Sequence, residues 1–173
     1  LGDVYKRQGF FYEELSRVSS GLAAQVGVND SVALLLYRVG TPEQKARYLP
    51  GLLSGDLIAS IAVTEPGVGS CPAGIQTRAV RDGGHLRSTG EKVWSSNADI
   101  SDFAVVVCRT GDTQSLILVD RADGYTSRNF GKLGQREKST GQLLFDNVRV
   151  PSSNLLGAEG EGLRLMAFSF ERA

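Results

Sequence analysis

The chain has 173 residues, 41% of them apolar and 22% charged, a composition that supports the core of one or two small domains and excludes a disordered chain. Nineteen basic and nineteen acidic residues cancel, and no Lys/Arg cluster is dense enough to follow a phosphate backbone, which argues against a nucleic-acid partner. Two cysteines and one histidine form neither a disulfide framework nor a metal site and fit a reducing compartment, while apolar runs such as Phe103–Cys108 are far too short to span a bilayer and no secretory segment opens the chain.

The sequence starts at Leu1 without an initiating methionine, so it is expected to be a piece of a longer protein. Residues 1–8 match no pattern and are set aside as an unassigned end. Residues 9–56 read as the end of a helical domain. Leu15, Val18, Leu22 and Val26, then Val32, Leu35, Leu36 and Val39, recur at spacings of three and four, which predicts two amphipathic helices with one buried face. Thr41 as N-cap, Pro42 at the first helical position and Glu43 in the first turn predict a short third helix that stops at Pro50-Gly51.

Residues 57–152 read as a β domain. Leu57–Thr64 is a strand candidate, and Gly74–Trp94 reads as two alternating strands about the turn Asp82-Gly83-Gly84. Asp102–Thr110 and Ser115–Asp120 are apolar enough to be buried strands, and Gln142–Pro151 makes a last one. Short strands and close turns without a helical pattern between them predict an antiparallel barrel or sandwich. Residues 153–173 return to helical spacing from Asn154 through Leu163, Met166 and Phe170. The expected class is therefore α+β, with helical segments flanking an antiparallel β domain.

Two segments carry residues suited to ligand chemistry. In Ala62–Ser70, "AVTEPGVGS", Pro66 lacks an amide proton and ends a ladder, while Gly67 and Gly69 permit torsions and close approach that a side chain would forbid. The hydroxyls of Thr64 and Ser70 and a run of exposed amides can hold an anion; a tight turn that needs Pro and Gly for shape alone is the other reading. In Ser88–Phe103 the only tryptophan, Trp94, stands beside the hydroxyls of Ser95 and Ser96 at a strand end. Its ring can wall one side of a planar cofactor, or it can be a core residue. His85 reads as a surface residue of the hairpin, Cys71 as a spectator thiol, and Glu65 as holding its loop by hydrogen bonds without titrating in a reaction.

Together these segments resemble the acyl-CoA dehydrogenase family. "ASIAVTEPGVGS" (Ala59–Ser70) followed by Thr77–Thr110 carries the likeness, "GTPEQKARYLPGLLSGD" (Gly40–Asp56) matches the family's lead-in, and Lys132–Ala173 matches its run into the C-terminal helices. The resemblance implies FAD bound where helices meet the β domain, and oxidation of an acyl-CoA thioester to its 2,3-enoyl form. It places Ile61, Val63 and Thr64 along the flavin, Gly69 and Ser70 against the FAD pyrophosphate and the thioester ligand, and Trp94 over the isoalloxazine, with Ser95 beside it and Ser96 near the ring nitrogen that accepts hydride.

The resemblance also reaches the last residues. Glu171 falls where the isovaleryl-CoA and long-chain types carry their catalytic base, although an exposed helical glutamate is the competing reading. Arg172 matches a family arginine near the substrate, and Ser169 stands where acyl-CoA contacts have an aspartate. Cys71 replaces the usual aspartate after the Gly-Ser pair, and Ser96 the commoner threonine. Implied partners are an acyl-CoA, an electron-transferring flavoprotein as acceptor, and further copies of the chain in a homodimer or homotetramer, in the cytoplasm or, in a eukaryote, the mitochondrial matrix. An oxidase or monooxygenase on the same scaffold, and a fragment that holds no flavin, are the alternative functions.

Overall fold

A computed structural model describes residues 2–170, with side chains from Lys6 onward. Its first helix, α1 (Gly2–Val18), takes in residues 2–8, the stretch that shows no pattern in the sequence. The chain breaks at Ser19, which has extended torsions and accepts a hydrogen bond from the Leu22 amide, so it caps α2 (Ser20–Val39). The break falls inside the expected first stripe, and Val18 and Leu22 lie exposed. Farther along α2 the periodicity holds, and Val32, Leu35 and Leu36 are fully buried. Helix α3 (Pro42–Ser54) opens with a reciprocal cap between Thr41 and Gln44. It continues through Pro50 to a left-handed Gly55 instead of stopping at Pro50-Gly51. The reason is packing: Tyr48 and Leu52 are buried on the face away from exposed Pro50, and a side chain at Gly51 would collide with Leu57.

Eight strands follow: β1 (Ala59–Ala62), β2 (Arg78–Asp82), β3 (His85–Ser96), β4 (Phe103–Thr110), β5 (Thr113–Asp120), β6 (Thr126–Asn129), β7 (Thr140–Pro151) and β8 (Leu155–Leu156). They pair in the order β6-β7-β3-β1-β4-β5-β8, and β2 joins both β3 and β4. The pairings β1–β3, β3–β2, β2–β4 and β4–β1 thus close a ring. Most are antiparallel, as expected; β1–β4 and the single β2–β4 contact are parallel, because the β2–β3 hairpin lies between β1 and β4 in the chain. Strand β8 pairs with β5 where the sequence suggests helix. Asn154 donates to the Leu118 carbonyl, Gln44 donates to Ser153 and Leu155, and left-handed Gly157 and Gly160 delay α4 to Gly162–Phe170.

Strand β4 is buried on both faces, so its parity sorts the core. Phe103, Val105 and Val107 join Val32, Leu35, Leu36, Tyr48, Leu165 and Met166 under the helices. Ala104, Val106 and Cys108 face the opposite cluster with Ile117, Leu143 and Phe145, inside the strand ring. Among the described residues, no helix is long and apolar enough to cross a membrane.

The Tyr48 and Phe103 rings, with centroids 4.4 Å apart, join α3 to β4. Phe103→Ala is expected to lower unfolding stability by about 3–5 kcal/mol, whereas exposed Val80→Ala should stay within about 0.5 kcal/mol; urea titration of both variants checks the contrast.

Candidate functional site

After Ala62 the chain leaves β1 through Val63 and Thr64 and doubles back at Glu65, which exchanges two backbone hydrogen bonds with Val68. What fixes this bend comes from the adjacent strand. Lys92 on β3 has no exposed surface, and its Nζ donates to the Val63 carbonyl at 2.8 Å and to Glu65 Oε1 at 2.9 Å. Glu65, itself buried, also accepts from the Gln76 and Thr77 amides at 2.7 and 2.8 Å. The next residue of β3, Val93, donates its amide to the Thr64 carbonyl at 2.9 Å. Residues 63, 64 and 65 are therefore each held by the Lys92-Val93 pair.

Burial alone would push the Glu65 carboxyl up, but the donors from Thr77, Gln76 and Lys92 outweigh it and hold the group below its ordinary value of 4.5. Burial pulls the Lys92 ammonium down from 10.5 against the pull of Glu65. The pair is ionic, closed off from water, and serves the bend; this agrees with the reading of Glu65 as a loop anchor.

The same strand then bulges. Lys92 pairs with Leu143 and Ser95 with Gly141, so Val93 and Trp94 together oppose Gln142 alone. Trp94 takes φ 59, a torsion that costs a bulky residue energy. The result is an indole turned outward, 63% exposed, with the Phe130 ring edge-on at 5.1 Å. The bulge also sets the parity of the two serines that follow.

Trp94, Ser96, Ile61, Val63 and Thr64 line one wall of a cleft of about 710 Å³, and Ala23, Ala24, Gly27 and Val28 of α2 line the other, with Tyr12 of α1 and Gln135 and Phe170 at its margins. The hydroxyls of Thr64 and Ser96 have no partner within the described residues. Broad apolar walls, an exposed indole and free hydroxyls beside it suit a flat heteroaromatic ring with polar edges. The donor set therefore fits the flavin of FAD.

The structure thus brings five of the expected residues together and leaves others apart. Ser95 is buried on the opposite side of β3, its hydroxyl unpartnered, and does not reach the cleft. Gly69 and Ser70 are exposed and lie outside the cleft lining. Neither Gly67 nor Gly69 has a positive φ, and a side chain on either would meet no atom within 4 Å. Neither torsion nor close approach within this chain therefore explains them. Ser169 is fully buried with an unpartnered hydroxyl, so it presents nothing to a ligand in the cleft. Glu171 and Arg172 lie outside the described residues.

His85 is half-buried in the hairpin, where its Nδ1 lies 3.1 Å from Arg149, and Cys71 is exposed. Burial pushes the Cys108 thiol up to about 11, which leaves it inert. Lys92, Tyr12 and Gln135 escape sequence reasoning. The "GEKVW" run marks Lys92 only as one more charged residue, and Gln135 reaches the cleft from a left-handed torsion, φ 47, that the sequence would sooner assign to the preceding Gly134.

Helices packed against a largely antiparallel sheet, with an apolar cleft where the two meet, define an α+β protein with a ligand-sized cleft between its layers. Family models agree in detail. The acyl-CoA dehydrogenase middle domain matches residues 60–148 and the N-terminal domain of the same family matches residues 1–56. The mitochondrial 2-methylacyl-CoA dehydrogenase of Solanum tuberosum is 37% identical over 89% of this chain and 39% of its own length. Mitochondrial isovaleryl-CoA dehydrogenase of Arabidopsis thaliana is 34% identical over 96% of the chain and 42% of its own length.

Among solved structures, an acyl-CoA dehydrogenase from Geobacillus kaustophilus superposes with a TM-score of 0.89 at 36% identity, covering 93% of this chain and 45% of that one. A glutaryl-CoA dehydrogenase from Mycobacterium smegmatis in complex with FADH2 gives 0.84 at 37% identity, covering 88% and 40%. The chain belongs to the acyl-CoA dehydrogenase family and spans about two-fifths of the length of these curated relatives.

Removing one member of the buried pair strands the other. Lys92→Met is expected to lower stability by about 3–5 kcal/mol, and Lys92→Met/Glu65→Gln to recover most of that loss. The Glu65 carboxyl is lowered in the folded state, so its contribution is complete above its ordinary value of 4.5 and is lost as pH falls through the folded value. Urea unfolding from neutral to acid pH should therefore show a shallower acid decline for Glu65→Gln than for the parent.

Proposed function

We propose that the whole protein is an FAD-dependent acyl-CoA dehydrogenase that converts an acyl-CoA thioester to its 2,3-enoyl form. The observation that carries this reading is the shared cleft of Ile61, Val63, Thr64, Trp94 and Ser96, five residues that the family resemblance assigns to the flavin and that come from two separate segments, the end of β1 with its bend and the end of β3. Ile61, Val63, Thr64, Trp94 and Ser96 would hold the flavin of FAD there, and it would supply the redox chemistry as the hydride acceptor. Trp94 covers the ring face and excludes water, while the Thr64 and Ser96 hydroxyls orient the ring by its polar edge. The Lys92–Glu65 pair keeps Val63 and Thr64 in place for that contact.

An α-proton beside a thioester is weakly acidic and needs a base in a dry pocket whose pKa burial has raised. We assign that role to Glu171, with Arg172 beside the substrate. Gly69 and Ser70 are kept as residues for the pyrophosphate, because the space beside Gly69 is open to a ligand. An electron-transferring flavoprotein is the proposed acceptor, and a homodimer or homotetramer the proposed assembly.

In the full-length protein, Trp94→Ala should weaken FAD binding about tenfold, the loss of one aromatic face, and shift the visible flavin bands. Unchanged affinity would remove Trp94 from the site. Glu171→Gln should abolish formation of enoyl product while FAD stays bound; undiminished turnover would assign the base elsewhere. Turnover with an electron-transferring flavoprotein under argon, compared with turnover in air, separates the dehydrogenase from an oxidase or monooxygenase.

A further inference from the structure

The loop between β6 and β7 crosses from the sheet to α2 at one margin of the cleft. Its base is fixed on the sheet side: the Phe130 amide donates to the Thr140 carbonyl at 2.9 Å, the Asn97 amide to the Ser139 carbonyl at 2.9 Å, and the Ser139 hydroxyl to Asp99. Its far side rests on the helix. A β-carbon built on buried Gly21 of α2 would come within 2.9 Å of Glu137 Oε2 and 3.1 Å of the Lys138 amide nitrogen, so the small residue there lets the loop seat against α2.

Lys132 draws this strap together. Its ammonium has three protons to donate, and three oxygens accept them: the carbonyls of Gln135, at 2.9 Å, and of Lys138, and the Thr140 hydroxyl at 2.9 Å. None of these acceptors is charged, so the ammonium serves the shape of the loop and not an ion pair. The Lys138 amide also donates to the Gln135 carbonyl, at 3.1 Å. Two donors thus converge on one peptide, and Gln135 is held at φ 47 while Gly134 beside it takes no positive torsion. Strain carried by a glutamine with a glycine next to it points to a use for the side chain. That side chain lines the cleft, and its carboxamide has no hydrogen-bond partner among the described residues.

We infer that Lys132 is a positioning residue for the flavin: it holds the strap in the shape that lays the Gln135 carboxamide against the ring. This rests on the reading given under Proposed function. A carboxamide brings both a donor and an acceptor, which suits the carbonyls and ring nitrogens of a heteroaromatic edge. A loop that had to become ordered on binding would weaken such a contact; one pinned in advance by Lys132 avoids that cost. The lysine acts on the ring only through the peptide of Gln135.

The test uses the full-length protein, stripped of FAD and titrated with it, with the visible flavin bands recorded at saturation. Gln135→Ala removes the carboxamide and leaves the carbonyl that Lys132 holds. It should weaken FAD binding about tenfold, the worth of one hydrogen bond to the ring, and shift the bands. Lys132→Met should weaken binding to the same degree and shift the bands the same way. The double variant should bind no more weakly than Lys132→Met, since both residues act through one contact. Arg136→Ala, on the same strap but outside the cleft lining, should match the parent. Should Lys132→Met fail to fold, the contrast between Gln135→Ala and Arg136→Ala decides.

Parent affinity and parent bands in Gln135→Ala overturn the inference, as does an equal loss in Arg136→Ala. A double variant weakened about a hundredfold, the product of two independent losses, also overturns it, because Lys132 would then act without Gln135. A full-length parent that binds no FAD defeats the reading under Proposed function and this inference with it. A parent that binds FAD while Gln135→Ala changes nothing leaves that reading intact and removes only the role of the strap.

Discussion

A buried ammonium on β3 holds the bend after β1, and the cleft takes its shape from that contact. Lys92 is wholly enclosed, yet its charge reaches both the carbonyl of Val63 and the carboxylate of Glu65. An unpaired ion at that depth would be expelled or neutralised, so the bend cannot relax without stranding one partner or the other. The glutamate in turn closes the amides of Gln76 and Thr77, which lead into β2. One ion pair thus links the end of β1, the start of β2 and the middle of β3. The strand before the bend and the two strands of the hairpin after it meet at the point where the cleft wall must be rigid.

Rigidity there is combined with strain a residue or two away. A tryptophan with a positive φ and most of its ring exposed is unfavourable on two counts, torsion and apolar exposure. Left to its own preference, β3 would run flat and point this residue elsewhere. The bulge persists because both flanks are fixed: Lys92 on one side by its ion pair, Ser96 on the other by its register with Ile61 and Thr140. The surroundings over-determine the strained residue, as expected where conformation has been shaped by binding and not by stability.

Much of the fold was legible because burial follows the period of each element. The apolar run of β4, the Asp82-Gly83-Gly84 turn and the Thr41-Pro42 helix start are local signals that packing did not need to override. Where tertiary contacts outweighed local preference, the reading failed: α3 runs through Pro50 because Tyr48 before it and Leu52 after it are both buried, and Leu155-Leu156 is a strand because β5 offers it an edge. At the site, residue types were visible but parity was not. Ser95 and Ser96 look equivalent in sequence; only their positions after a bulge decide that Ser96 faces the cleft and Ser95 the core. Lys92 was invisible for a related reason, since a charged side chain in an alternating strand reads as solvent-facing until its partner across the sheet is known.

The exposed glycines of the bend carry the last step. Gly67 and Gly69 adopt no torsion that requires glycine, and no atom of the chain crowds them. Gly90, by contrast, packs so tightly on Thr77 that a side chain could not be added, and its φ is 151. One glycine is thus explained by the protein's own packing, and two are not. The backbone hydrogen bonds that shape the bend belong to Val63, Thr64, Glu65 and Val68, and neither Gly67 within it nor Gly69 after it takes part in them. A loop kept rigid at its base and bare at its rim has the form of a surface on which another group rests against the backbone itself.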